Sequence, residues 1–141
     1  MNKNRQYFGL VTFPVIAISI FVVFFVIAAL CFPGSEFSHL DYKADRYSLS
    51  HNFLSALGRI ESSNGQTNLI SCILFNGSLV LIGITLVKFY RGFKELFVTI
   101  KDSPRSIIFS NYTKPVGMIS GLLFAGVGLV PHDLHHGAHV F

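Results

Sequence analysis

The chain has 141 residues, room for a single domain. Hydrophobic residues make up 51%, charged residues only 13%, and the mean hydropathy is +0.55, which excludes an ordinary soluble surface and directs the reading to membrane spans. The net charge of +4 sits mainly between apolar runs with no basic-aromatic stripe, so it excludes nucleic acid as a partner and reads as a topology signal.

The first apolar run, 8–32, carries no charge and exceeds the roughly 20 residues that cross a hydrocarbon core. Pro14 falls near its start, where a missing N–H matters least. A signal peptide is the competing reading, with Lys3 and Arg5 as its basic arm. The run is longer than the ~7–15 residues of a signal core. Leu30 also fits poorly before a lipoprotein Cys31, so a retained span is expected.

Residues 33–66 open with a Pro-Gly-Ser turn and close with Ser-Ser-Asn-Gly-Gln. Between these turns, Phe53, Leu54 and Leu57 have helical spacing, which predicts a short interfacial helix at about 50–58. Ser50 or Asn52 would cap it and Gly58 would end it. On such a helix His51 and Ser55, four apart, share a face.

A second span is expected at 67–87. Asn76 lies in mid-run, where an amide needs a partner; it serves either as glue between helices or as a ligand contact. Cys31 and Cys72 lie in apolar runs with no CxxC, so they read as two buried small residues rather than a disulfide. Residues 88–114 form a basic loop, with a short amphipathic interfacial helix expected at Gly92–Lys101 and a turn at Asp102-Ser103-Pro104-Arg105.

The third span is expected at 115–131, with Pro115 in its first turn. Gly117, Gly121, Ala125 and Gly128 form one stripe of small residues suited to close helix packing. Two Lys/Arg precede span one, three lie in 33–66 and six in 88–114. The positive-inside rule then puts the N-terminus and the 88–114 loop in the cytoplasm. Residues 33–66 and the end of span three share the outer face of the plasma membrane.

That end carries His132, Asp133, His135, His136 and His139. On a helix the four imidazoles fall within an arc of about 100°, with 132/136 and 135/139 at the i, i+4 spacing of metal ligands. Imidazole suits zinc, copper, iron or nickel. Pro131 opposes a continuous helix and favours a turn. Three readings remain open: interfacial histidines without metal, a metal site, and a proton-linked switch.

The order of spans, together with Ser55-Ala56-Leu57-Gly58 and Pro131, Asp133 and His139 or His136, resembles the domain-of-unknown-function 998 family of multi-pass membrane proteins. The resemblance implies an all-α membrane bundle with three helices here, the N-terminal half of about six, and a fourth span opening at Ala138. A looser analogy joins it to alkaline ceramidase and adiponectin-receptor-like hydrolases, which hold zinc with Ser, Asp and His. On that analogy Ser55 and Asp133 are the catalytic candidates and His132, His136 and His139 the metal ligands, with His51, His135 and Asn76 as further candidates.

Two functions follow. One is a metal-dependent hydrolase acting on lipid, with a metal-activated water and Ser55 positioning substrate. The other is a non-enzymatic membrane subunit, assembly factor or small-ligand binder that uses the small-residue stripe against other transmembrane helices: its own missing half, a second copy or a partner subunit. A transporter ranks third, because no charged residue lies in mid-span.

Overall fold

A computed structural model describes residues 7–37, 42–131 and 133. The chain is mostly helical. A π-helical turn, Phe8–Thr12, leads directly into α1, Phe13–Cys31. Two short strands follow, β1 at Ser35–Phe37 and β2 at Tyr42–Ala44, then a 3-10 helix at Leu54–Gly58. Two long helices complete the fold, α2 at Leu69–Thr99 and α3 at Pro104–Leu129.

The continuous segment Phe8–Cys31 and α2 are long and apolar enough to cross a membrane. The α1 surface is almost entirely apolar and broadly exposed, with a narrow covered face on which Ala17 and Ala28 are buried. A helix of that kind suits an apolar solvent rather than water.

The connection between α2 and α3 differs from the expected loop. Residues 88–114 are helical except for the turn at 100–103. Gly92–Thr99 offers no proline to stop α2, and Lys94, Glu95 and Leu96 are good helix formers. The stop comes at Lys101, whose φ of 53° is left-handed. There the Asp102 N–H reaches the Phe97 carbonyl at 3.0 Å and the Lys101 N–H reaches Val98 at 3.2 Å, a Schellman closure. Helix α3 then starts on Ser103, whose hydroxyl accepts from the Ser106 N–H at 3.2 Å, with Pro104 in the first turn. The first-turn proline is therefore Pro104, whereas Pro115 lies inside α3.

Helices α2 and α3 pack as an antiparallel pair through small residues. A Cβ added to Gly83 would meet the Ala125 N and Gly121 O at 2.6 Å each. One added to Gly121 would meet the Gly83 O at 2.7 Å, and one on Gly128 the Asn76 O at 2.6 Å. Gly117 lies under the Tyr90 ring. The stripe Gly117, Gly121, Ala125, Gly128 thus lies against the chain's own α2, so the surface assigned to an external partner is already covered. Helix α1 joins the pair at both ends. The Lys88 amine sits 4.4 Å above the Phe13 ring, and Phe32 and Ala28 share a core with Leu57, Phe75 and Leu79.

The 33–66 segment is more structured than a turn and a helix. Strands β1 and β2 pair antiparallel, Ser35 with Ala44 and Phe37 with Tyr42, while Glu36 and Lys43 form a 3.2 Å ion pair. The all-helical expectation therefore gains a two-stranded ladder. Gly34, at φ 97°, lets the chain leave α1 against the Ala44 carbonyl.

Candidate functional site

The segment between α1 and α2 folds as a cap over one end of the helices, and α2 supplies most of the side chains that fasten it. Asn68 directs Nδ2 at the carbonyls of Arg59 (2.9 Å), Leu57 (3.2 Å) and Ala56 (3.4 Å). Ser71 donates to Leu57 at 3.2 Å. Cys72 Sγ and Asn76 Nδ2 both donate to Gly58, at 3.2 and 2.9 Å. A 3-10 turn leaves its last carbonyls without intrahelical partners, and these four side chains supply the missing donors. Asn68, Ser71, Cys72 and Asn76 all fall on one α2 face at i, i+3, i+4 and i+8.

Asn76 is buried, as expected of an amide in an apolar run, but its side chain serves the cap rather than another helix. Gly58 does not merely end a helix. A Cβ there would meet Asn76 Oδ1 at 2.5 Å and Phe75 at 3.2 Å, so glycine is required by close approach to α2. Leu57 beside it is fully buried.

Asp133 closes the cap from the far side. Its Oδ2 accepts from the backbone N–H groups of Ile60 at 2.8 Å and Glu61 at 2.9 Å. The residue expected as a catalytic candidate thus holds the end of α3 to the cap across more than seventy residues of sequence. His132, His135, His136 and His139 lie outside the described residues, so the histidine arc cannot be placed beside it. Among the described residues no three His, Cys, Asp or Glu side chains converge as a metal set.

His51 and Ser55 do not share a face, because the chain turns at 49–52 and the 3-10 helix starts only at Leu54. His51 stacks on Tyr42 with centroids 4.4 Å apart, and its Nδ1 lies 2.8 Å from Ser50 Oγ and 3.1 Å from Ser48 Oγ. The expected helix caps are also used otherwise. Asn52 is buried, donates to Ser35 Oγ at 2.9 Å and accepts from the Ser48 N–H at 3.0 Å. Cys31 is exposed and Cys72 buried, so only one of the two cysteines is the buried residue expected.

Two cavities flank this cap. The larger, about 360 Å³, lies between the last turns of α1 (Phe25, Val26, Ala29, Leu30) and the stretch Arg46, Tyr47 and Leu49. Tyr47 packs edge-on against Phe25 and Phe32, with its hydroxyl buried and unpartnered among the described residues. Burial pushes its phenol up from the ordinary value. The smaller, about 90 Å³, is lined by Ser55, Arg59, Ser62 and Ser63 under the rings of Phe32 and Phe53.

The sequence did not signal Arg46, Tyr47 or Arg59 as site residues. Two cations and a tyrosine on a polar segment have no spacing that distinguishes them. Comparison with family models, curated proteins and solved structures finds no match to this chain.

Proposed function

We propose that the chain is an integral membrane protein whose cap, on the outer face of the plasma membrane, binds an amphiphile without catalysis. The membrane reading is supported by the apolar surface of α1 and by the distribution of cations. Lys88, Arg91, Lys94, Lys101, Arg105 and Lys114 all gather at the end of the α2–α3 pair away from the cap. At 1.5 Å per residue, the 31 residues of α2 extend about 46 Å, some 15 Å beyond a hydrocarbon core. The excess is the basic end, which positive-inside logic places in the cytoplasm together with the N-terminus. Helix α3 is the third span in this arrangement, and the likeness to the 998 family belongs to the same proposal.

The observation that carries binding is the 360 Å³ groove, a volume typical of small-ligand sites. Its apolar wall is the outer end of a membrane-facing helix, and Arg46 is its one cation among the described residues. That combination fits an acyl chain along α1 with an anionic headgroup at Arg46. Hydrolysis is less well supported, because Asp133 Oδ2 is held by two backbone N–H groups and His51 is turned to Tyr42.

The test is photolabelling of the purified chain in bilayers with a diazirine-bearing anionic phospholipid. Ala29→Phe should fill the groove and reduce labelling of the 25–49 region several-fold, and Arg46→Gln should reduce it less. Labelling unchanged in both folded variants would overturn the proposal.

A further inference from the structure

We infer that the smaller cavity, formed by Ser55, Arg59 and Ser63, is a binding site for a tetrahedral oxyanion, distinct from the acyl groove along α1. The inference rests on a surplus of hydrogen-bond donors. Arg59 Nε is buried and hydrogen-bonds to nothing among the described residues. A buried guanidinium nitrogen without an acceptor is costly, and its natural counterpart is an anion. Ser63 Oγ already accepts from the Glu36 N–H at 3.2 Å, which leaves its hydroxyl proton to donate. Ser55 makes no side-chain hydrogen bond among the described residues, so its hydroxyl is also available. Ser62 differs, since its proton goes to the Gly34 carbonyl.

Among the described residues the lining holds no acidic side chain. Glu36 pairs with Lys43, and Asp133 is bound to the Ile60 and Glu61 N–H groups. Among the described residues, one cation and two hydroxyls with a proton to donate therefore line a space of about 90 Å³ that holds no carboxylate, a volume matched to a phosphate or sulfate group rather than a larger ligand. The rings of Phe32 and Phe53 lower the local dielectric, which strengthens each charge-assisted bond. The site is built by the cap's own fold. The carbonyl of Arg59 is fixed by Asn68, and the residue after it by Asp133, so the guanidinium leaves from a backbone pinned on both sides.

The same chemistry is offered by a free phosphate or sulfate and by the phosphate of a lipid headgroup. The full chain in nanodiscs of digalactosyldiacylglycerol, whose headgroup carries no phosphate, titrated with inorganic phosphate, sulfate and chloride at constant ionic strength, should show a rise in melting temperature with the two oxyanions only. Arg59→Gln should weaken the phosphate response at least ten-fold, and Arg59→Lys should restore it only in part, because the ammonium supplies charge without the forked donor set. Ser55→Ala combined with Ser63→Ala should weaken it several-fold, which keeps the test open if the arginine variants do not fold. Lys43→Gln, on the exposed strand, should leave it unchanged. Replacing part of the neutral glycolipid with phosphatidic acid separates the sources. Competition with inorganic phosphate identifies the lipid headgroup, and an unaltered phosphate response identifies the soluble anion. A native chain indifferent to phosphate and sulfate in neutral bilayers and to phosphatidic acid, or an Arg59→Gln variant that responds like the native chain, would overturn the inference. Because acyl-groove labelling is read separately, failure here does not touch that proposal, nor the reverse.

Discussion

Helix α2 is gripped in two different ways. Along its middle and basic half it meets α3 through glycines, with backbone against backbone and no side-chain hydrogen bond between the two helices among the described residues. At its other end it meets the cap through four polar side chains directed at backbone carbonyls, with almost no glycine except Gly58. In lipid there is no hydrophobic drive between helices, and association falls to close packing and to hydrogen bonds. The chain uses one of these on each part of the same helix. The seam should accordingly be sensitive to volume and indifferent to polarity, and the cap joint the reverse.

The sharpest way to break that contrast is to add volume to the seam. Gly83→Leu would drive a side chain into the Gly121 and Ala125 backbone, whose atoms already stand 2.6 Å from a bare Cβ. Backbone cannot step aside as a side-chain tip can, so the loss should exceed about 3 kcal/mol, at or above the upper end of overpacking costs. Steric-trap or denaturant unfolding in bilayers or micelles measures it. A Gly83→Leu protein as stable as the native chain would mean that α2 and α3 do not pack along this line.

The complementary test at the joint removes polarity without adding volume. Asn76→Ala deletes the donors to Gly58 and Cys72 and leaves a buried carbonyl underserved, since Cys72 is a weak donor. The expected loss is about 1–2 kcal/mol, which lies between the net value of an average hydrogen bond in a membrane protein and the penalty for an orphaned group. Hydrogen exchange should quicken at Gly58 and its neighbours while the seam stays protected. Loss of protection at the seam as well would show the two grips to be one cooperative unit.

These two regions also differ in how far the sequence disclosed them. The seam was legible because a helix repeats its face every three to four residues, so Gly117, Gly121, Ala125 and Gly128 declare themselves as a stripe. What the stripe could not say was whose helix it met; the answer, α2, needed the three-dimensional arrangement. The cap was barely legible. Its bonds join Asn68 to Leu57, Asn76 to Gly58 and Asp133 to Ile60, and a side chain that serves a distant carbonyl or N–H leaves no periodic trace. Asp133 is the plainest case. Among four histidines it reads as a catalytic candidate, and nothing in that spacing announces the two backbone N–H groups from which it accepts. The 88–114 loop was misjudged for another reason. Charge was taken as the end of a helix, although Lys, Arg and Glu are good helix formers once the chain has left an apolar phase.

Asp133 ties the two regions together, and its removal should be felt at the joint but milder than the loss of Asn76. Its carboxylate lies in an exposed setting, so Asp133→Ala exchanges two charged hydrogen bonds for water at an expected loss of about 1 kcal/mol. Asp133→Asn retains an acceptor and should recover part of that. Proteolysis within 59–66 should accelerate in the alanine variant, since the N–H groups of Ile60 and Glu61 lose their acceptor. Equal proteolysis rates would show that Asp133 does not help to hold the cap.

The smallest expected effect concerns how α1 joins the cap. Tyr47 stands edge-on to Phe25 and Phe32, and burial alone raises its phenol above 10.0. The folded chain therefore holds this proton more tightly than the unfolded chain does. Stability from this group is complete below pH 10 and declines as the pH rises from there through the folded-state value, because only the unfolded chain ionises freely. The group is only partly buried, so the decline is shallow. Tyr47→Phe separates it from the other tyrosines and the lysines: both rings keep their partner, no hydrogen bond made among the described residues is lost, and the extra fall in stability above pH 10 should vanish. If the difference between the two proteins stays constant across that range, the hydroxyl is hydrated in both states, and the α1–cap contact is looser than the joint on α2.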